Sequence, residues 1–377
     1  MPDPTRRAFI KTTAAAVGAA ALTPATLAQT VQPVKTLKEL RVLQVGIGGI
    51  GGLDRNKIAS HPRARIVGLV DVNKPLLNEV AKGIGDVFTE TDYRKAFADH
   101  NDAFDAVVVC TPDHTHAAPM LLGLAHDKHV YGQKPLVHQL EELTLLEKAV
   151  NARPHLATQT GNQRMEIPGR RVAVDILRRN LLGPAREAWV WTTAKFGSTT
   201  AIDLPAEKTA PQNLDWDLWL GPAKPQPYRD GIAPFNWRAW WEFGTAGLGD
   251  WGVHLLDVVF YGYPELTSPV TVQCNTPRAA DWYHAAHCTA TMTYAVASDR
   301  FSSDIFPIHY HDVGLVPSLR SLGIHKPGGA DKNATAIVCE SGTMLITSDG
   351  ALEVFRNGKR IDLKELGEMI EPEPIHH

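Results

Sequence analysis

An apolar strand running straight into a glycine-rich turn, followed twenty residues later by an acid, constrains this chain more than any other feature. Residues 40–45 form a compact, mostly apolar stretch leading into Gly46-Ile47-Gly48-Gly49-Ile50-Gly51, a GxGxxG turn. Gly46 permits the tight turn, Gly48 lets backbone come close to a pyrophosphate, and Gly51 allows a helix to pack closely on the strand. From Gly49 and Ile50 onward the start of that helix offers amide donors and a positive dipole to an anion. A second apolar strand, 65–70, ends in Asp71, where a carboxylate reaches an adenosine ribose. Strand, turn, helix, strand and acid in that order predict a Rossmann dinucleotide-binding domain.

A carboxylate at position 71 accepts hydrogen bonds from both ribose hydroxyls and repels a 2′-phosphate, so the expected cofactor is NAD rather than NADP. Arg63 and Arg65 flank the same strand and keep the phosphorylated form in view. A third apolar strand, 105–110, delivers Thr111-Pro112 to the carboxyl edge of the sheet, with His114 and His116 on the loop beyond. A helix near 119–126 and a short strand at 129–131 then lead to Gly132-Gln133-Lys134-Pro135.

The succession of GxGxxG, Thr111-Pro112-Asp113-His114-Thr115-His116 and a Lys-Pro pair after a strand resembles the Gfo/Idh/MocA oxidoreductases. The likeness covers nearly all of the chain beyond its first thirty residues. It implies a two-domain α/β fold, with a Rossmann domain at 39–158 and a C-terminal α/β domain at 159–377 built on a large, mostly antiparallel, open-faced sheet. It also implies cofactor contacts from Gly46, Gly48, Gly49, Ile50, Gly51, Asp71, Thr111, Pro112, His116, Gln133, Lys134 and Arg238. Where the family carries Glu-Lys-Pro, this chain has Gln133-Lys134-Pro135, which keeps hydrogen-bonding capacity and loses a negative charge.

In the second domain, 214–222 and Phe235-Asn236-Trp237-Arg238 resemble a secreted bacterial branch of the family. Eight tryptophans stand between 189 and 251, where core packing and stacking on sugar rings are both open. Within Gly247-Leu248-Gly249-Asp250-Trp251-Gly252-Val253-His254-Leu255-Leu256-Asp257, the spacing of Asp250, His254 and Asp257 predicts one face of a helix. Polar groups set among Val253, Leu255 and Leu256 need buried partners or a ligand. The resemblance assigns Lys134, Asp250 and His254 to catalysis, the last two also to substrate together with Gln163 and Arg164. Oxidising a secondary alcohol requires loss of its hydroxyl proton; an imidazole, titrating at about 6.5, suits that task, and a desolvated lysine is the other available base.

After 267 the chain reads as strands at 270–275, 287–296, 334–339, 343–346 and 352–355. His309 and His311 share a strand face without a third ligand, so no metal is expected. The four cysteines lack metal or scaffold spacing and are expected to be buried small hydrophobes.

At the amino terminus, Thr5-Arg6-Arg7-Ala8-Phe9-Ile10-Lys11 resembles a twin-arginine export signal, followed by an apolar run at 14–22 and small residues before 28. The run is shorter than the ~20 residues that span a bilayer. Residues 1–28 are therefore expected to be a signal peptide and 29–38 a linker, giving a periplasmic or otherwise exported protein that meets the twin-arginine machinery already folded and has no stable membrane anchor. A net charge of −3 gives no field for nucleic acid. The expected partners are a sugar or glycoside and further copies of the chain, as a dimer or tetramer.

Because free NAD is scarce outside the cytoplasm, a retained, internally recycled cofactor is expected. Three reactions suit it: hydride shuttling between sugars, NAD-assisted glycoside hydrolysis, and dehydrogenation of a glycoside with an external electron acceptor. A cofactor- and sugar-binding protein without catalysis is the reading from another class, and the joint presence of Lys134, Asp250 and His254 argues against it.

Overall fold

The computed structural model describes residues 38–367 apart from 199, 201 and 277–279. The export-signal residues and nearly all of the expected linker lie outside the described residues. Among the described residues no helix is long and apolar enough to cross a membrane.

The chain forms two units. The first is a six-stranded sheet made of β1 (Leu40–Val45), β2 (Ala64–Val70), β3 (Phe88–Glu90), β4 (Ala106–Val109), β5 (His129–Gln133) and β6 (Thr158–Gly161). All neighbours run parallel, in the order β3-β2-β1-β4-β5-β6. Helices α1 (Ile50–Ser60), α2 (Lys74–Ile84), α3 (Tyr93–His100), α4 (Ala117–Ala125) and α5 (Leu140–Asn151) make the crossovers. Their apolar residues build two clusters on the sheet, one around Leu43, Val107 and Met120, the other around Val42, Ile66 and Val108. Strand runs apolar on both faces, such as Ala106–Val109, form because both faces are covered. The order reverses between β1 and β4, which is where a doubly wound sheet opens a ligand crevice beyond its strand ends.

A boundary at 158 falls on the first residue of β6, so the first unit runs on to Gly161. It also includes Leu204–Arg238 and Glu242–Gly244, which chain order had grouped with the second domain. This segment holds the short pair β8 (Glu207–Lys208) and β9 (Tyr228–Arg229) and helix α7 (Trp216–Leu220). It returns through a bridge between Asn73 and Leu214 and an aromatic cluster of Trp216, Trp219, Tyr228 and Phe243 around His114.

The second unit comprises Asn162–Asp203, Ala239–Trp241 and residues from Thr245 onward. Its sheet contains β7 (Ala185–Trp191), β10 (Thr271–Asn275), β11 (Thr289–Ala295), β12 (Ile305–His311), β13 (Ala334–Cys339), β14 (Gly342–Thr347), β15 (Leu352–Arg356) and β16 (Lys359–Ile361). The order is β10-β11-β12-β7-β13-β14-β15-β16, antiparallel except where β12 meets β7. Helices α6 (Pro168–Arg178) and α8 (Val253–Gly262) cover one face, burying Leu177, Leu255, Val258 and Val259 against Ala188, Val190, Ile308 and Ile337. On the other face Leu322 and Ile324 cover Trp191, Ala336 and Phe355, while Glu187, Trp189, Thr291 and His309 stay half-exposed.

Two expectations change here. Cys110 and Cys339 are buried, but Cys274 is exposed and Cys288 half-buried, with their sulfurs 3.2 Å apart. The tryptophans also divide: Trp191, Trp219, Trp237 and Trp240 are core residues, whereas Trp241 is 56% exposed.

Candidate active site

The glycine-rich turn closes as the sequence predicts. Gly46 has φ +83°, and a Cβ there would lie 2.6 Å from the Cys110 carbonyl carbon, so only glycine lets the tips of β1 and β4 come this close. A Cβ on Gly51 would sit 2.4 Å from the Gly46 carbonyl oxygen, which fixes α1 against the turn. At Gly48 the same addition meets nothing nearer than a Leu76 methyl at 3.4 Å. Gly49 precedes α1, and no side chain caps that helix; its Gly51 and Gly52 amides bond back to the Gly48 and Gly49 carbonyls at 2.9 and 3.1 Å, which tightens the turn at the helix start.

Asp71 is tied into this turn. One carboxylate oxygen accepts from the Ile47 amide at 3.0 Å and the other from the Asn73 amide at 2.8 Å. Burial pushes its carboxyl above the usual range, against the pull of the Ile47, Asn73 and Gly48 amides. Arg65, one of the residues that kept NADP in view, pairs with Glu39 at 3.2 Å. The arrangement suits a dinucleotide: a helix start without a side-chain cap beside a glycine turn for the pyrophosphate, and an acid at the end of β2 for the ribose.

Thr111, Pro112 and His116 gather at the tip of β4. The His116 ring stands between two carbonyl oxygens, Thr111 at 2.6 Å and Pro135 at 2.7 Å, joining the Thr-Pro turn to the Lys-Pro turn. Burial, reinforced by the Lys134 charge, holds the imidazole below its usual range although both carbonyls favour the charged form. Lys134 therefore stands on a braced turn.

Gln133 is held by partners within the protein. It is 1% exposed, and its amide nitrogen donates to Asp54 Oδ2 at 2.7 Å while its oxygen accepts from the Lys134 amide at 3.1 Å. The Cys110 thiol reaches the same Asp54 oxygen at 3.2 Å, and burial followed by that carboxylate raises the thiol well above its usual range. Sequence reasoning missed Asp54. The available signal is an acid three residues after Gly51, on a helix whose near face must be buried. Arg238, also in the first unit, lies over Trp237 at 4.2 Å and Phe235 at 4.5 Å.

In the second unit the expected single helix is two. Leu248–Gly252 forms a π-helical turn and α8 continues from Val253. A π turn carries one residue more per hydrogen-bonded ring than an α turn, so Asp250 and His254 do not stand in simple α register, and such turns recur at functional sites. Ala246, just before, has φ +50°, a left-handed conformation costly for a residue with a Cβ. Asp250 and His254 are each 8% exposed.

Asp257 has its charge met internally. The buried Arg170 guanidinium binds its Oδ1 and also donates to the His254 carbonyl oxygen at 2.6 Å. Burial pushes the Asp257 carboxyl up to about 6, with Arg170 pulling the other way. This ion pair ties α6 to the first turn of α8 and holds His254 in place. Of the two residues expected beside it, Arg164 donates to the Ser348 carbonyl at 2.9 Å and lies 5.2 Å from the Trp251 ring, whose edge meets His254. Gln163 opens the 3₁₀ turn Gln163–Glu166.

His309 and His311 are occupied otherwise. His309 stacks on Trp189 and lies 3.5 Å from Glu187, and His311 meets the Leu315 carbonyl at 2.9 Å. Among the described residues no group of three or more metal-ligating side chains occurs.

No curated protein matches the chain. Solved structures do. The WlbA dehydrogenase from Chromobacterium violaceum, in complex with NADH and UDP-GlcNAcA, aligns at 15% identity and TM-score 0.62, covering 89% of this chain and 82% of that one. Levoglucosan dehydrogenase in complex with NADH and L-sorbose aligns at 16% and TM-score 0.59, covering 85% and 78%. An Agrobacterium radiobacter oxidoreductase in complex with NAD+, L-tartaric acid and magnesium aligns at 16% and TM-score 0.58, covering 89% and 80%. At these identities the likeness is one of fold. Family descriptions match on sequence: "Oxidoreductase family, NAD-binding Rossmann fold" over residues 40–158, and "Oxidoreductase family, C-terminal alpha/beta domain" over 187–299. With most of the described chain matched and the dinucleotide turn in place, the protein belongs to the Gfo/Idh/MocA oxidoreductases and its cofactor is NAD.

Proposed function

We propose that the protein oxidises a ring secondary alcohol of a sugar or glycoside, with Lys134, Asp250 and His254 as its catalytic residues and an NAD that stays bound between turnovers. The observation that carries the cofactor half is the bond from the Ile47 amide to Asp71, which locks the ribose-binding acid to the pyrophosphate turn. When bound, the nicotinamide supplies a hydride acceptor and, on reversal, a donor. The proton is left to the side chains. His254, on the first turn of α8 with its carbonyl fixed by Arg170, takes the hydroxyl proton, and the Lys134 ammonium stabilises the developing alkoxide by charge. Asp250 orients the sugar or the imidazole. A sugar-directed reading draws support from two structural relatives, one crystallised with a nucleotide sugar and one with L-sorbose.

Retention of the cofactor rests on the twin-arginine signature at Arg6 and Arg7, because an exported enzyme releasing NADH would have to find fresh NAD for each turnover. The first test is to denature the purified protein and identify the released nucleotide. Free sugars and p-nitrophenyl glycosides are then screened for cofactor reduction or aglycone release. On a confirmed substrate, His254→Ala is expected to lose turnover by about 10²–10⁴-fold with NAD affinity kept, and Lys134→Ala to lose turnover as well. Full turnover in Lys134→Ala removes that lysine from the mechanism, and absence of NAD in both extract and titration removes the proposal.

A further inference from the structure

We propose that Cys274 and Cys288 are a disulfide-forming pair that fastens the edge strand β10 to the second sheet once the folded protein meets a disulfide oxidant. Their sulfurs stand 3.2 Å apart, against about 2.05 Å for a bonded pair, so each thiol already points at the other. The ladder sets Cys274 opposite Ala290, which makes Cys288, two residues earlier, its diagonal neighbour on the same face. β10 and β11 run antiparallel from Thr271 opposite Thr293 to Asn275 opposite Thr289, and the Thr276 hydroxyl donates to the His287 carbonyl at 2.8 Å just beyond.

The place is one where a covalent tie has an effect. Among the described residues β10 is an edge strand hydrogen-bonded only to β11, all five of its residues are exposed, and Val270 and Val272 are each 60% exposed. Such an edge frays readily and invites pairing with a foreign strand. At the far side of the bond, the Cys288 amide donates to Asp312 Oδ1 at 2.5 Å, and an Asp312 oxygen lies beside Gly247 at the head of the π turn that carries Asp250. The pair therefore fastens β10 to a strand end that also supports the candidate site.

The two thiols are unequal, which sets the order of events. Burial, then Cys274 and Asp312, raises the Cys288 thiol far above its usual range, so it is a poor first nucleophile. Cys274 is solvent-exposed and attacks first. Its thiolate displaces one sulfur from a small-molecule disulfide such as oxidised glutathione, giving a mixed disulfide and one free thiol. The Cys288 sulfur, losing its proton, then displaces the second. Two electrons and two protons pass from the cysteine pair to the oxidant, which leaves as two thiols.

The full chain is incubated with oxidised glutathione and alkylated in denaturant. Two of its four thiols are expected to be lost, Cys110 and Cys339 still alkylating, with a mass about 2 Da lower and a peptide joining Cys274 to Cys288. Reduction is expected to lower the melting temperature by roughly 5–10 °C, as suits a closed loop of about fifteen residues, and Cys274→Ser/Cys288→Ser is expected to melt alike with and without reductant. Four alkylated thiols after oxidation, a lasting glutathione adduct on Cys274, or a cross-linked dimer through Cys274 overturns the proposal. None of these readings involves NAD.

Discussion

At residue 133 a single atom separates this chain from the motif of its family, and Asp54 explains why glutamine is the residue that fits. The Gln133 amide donates to a buried carboxylate at 2.7 Å, so glutamate in the same place would set two carboxyl groups against one another where water cannot screen them. Such a pair cannot ionise fully and keeps a proton at neutral pH. Its proton is held more tightly in the fold than in the unfolded chain, so stability is lost as pH rises through the raised pKa. Gln133→Glu is expected to melt near the wild type at pH 5 and to be about 2–3 kcal/mol less stable at pH 8. In Asp54→Asn/Gln133→Glu the asparagine amide donates to the new carboxylate, and stability at pH 8 is expected to return. A deficit equal at both pH values and untouched by the second substitution assigns the loss to packing instead. The glycines of the turn were legible because their spacing carries a mechanism; Asp54 was not, because its partner lies 79 residues away.

Among the elements, the segment Leu204–Arg238 shows where chain order stops being a guide to structure. Beside the Asn73–Leu214 bridge, its attachment to the first unit includes His114, whose ring meets the Trp219 carbonyl at 3.1 Å and packs on Trp219 and Phe243. Burial drives this imidazole down to about 3. The unfolded chain binds that proton near pH 6.5 and the folded one does not, so the stability of the neutral ring is complete above 6.5 and is lost as pH falls toward 3. His114→Gln keeps a donor for the Trp219 carbonyl and removes the titration. It is expected to cost about 1 kcal/mol at pH 7.5 and to melt with a shallower fall between pH 6.5 and 4.5; an unchanged slope assigns acid sensitivity to other groups. The strands around the turn, β1, β2, β4 and β5, were readable because apolar runs between glycines and loops have few alternatives. The strand β7, Ala185–Trp191, is hard to read from sequence because its tryptophans suit ligand platforms as well as a core, whereas β12 shows only as the shared strand face of His309 and His311, without its bounds. The π turn was invisible for another reason: polar residues spaced four and three apart suit an α-helix, and that spacing carries no mark of the wider ring.

For the molecule as a whole, the residues expected to hold the cofactor all belong to the first unit, whereas Gln163, Arg164, Asp250 and His254 belong to the second. Nucleotide binding is therefore expected to stabilise the first unit irrespective of what the second binds. Protein stripped of nucleotide should gain about 2.7 kcal/mol when NAD is added at a hundred times its Kd, read as a rise in melting temperature. The choice between NAD and NADP is expected to turn on the charge of Asp71. Its carboxylate is fixed by two backbone amides and cannot swing away, so a 2′-phosphate is repelled whenever the acid is ionised. Because burial raises its carboxyl, the charge begins to disappear at a higher pH than for a free aspartate. The preference for NAD over NADP is thus expected to be largest at pH 8, to narrow as the buffer is made acidic, and to be smaller and flat with pH in Asp71→Asn. Equal stabilisation by the two nucleotides at pH 8 would show that Asp71 plays no part in the choice and would shift attention to Arg63, since Arg65 is held by Glu39.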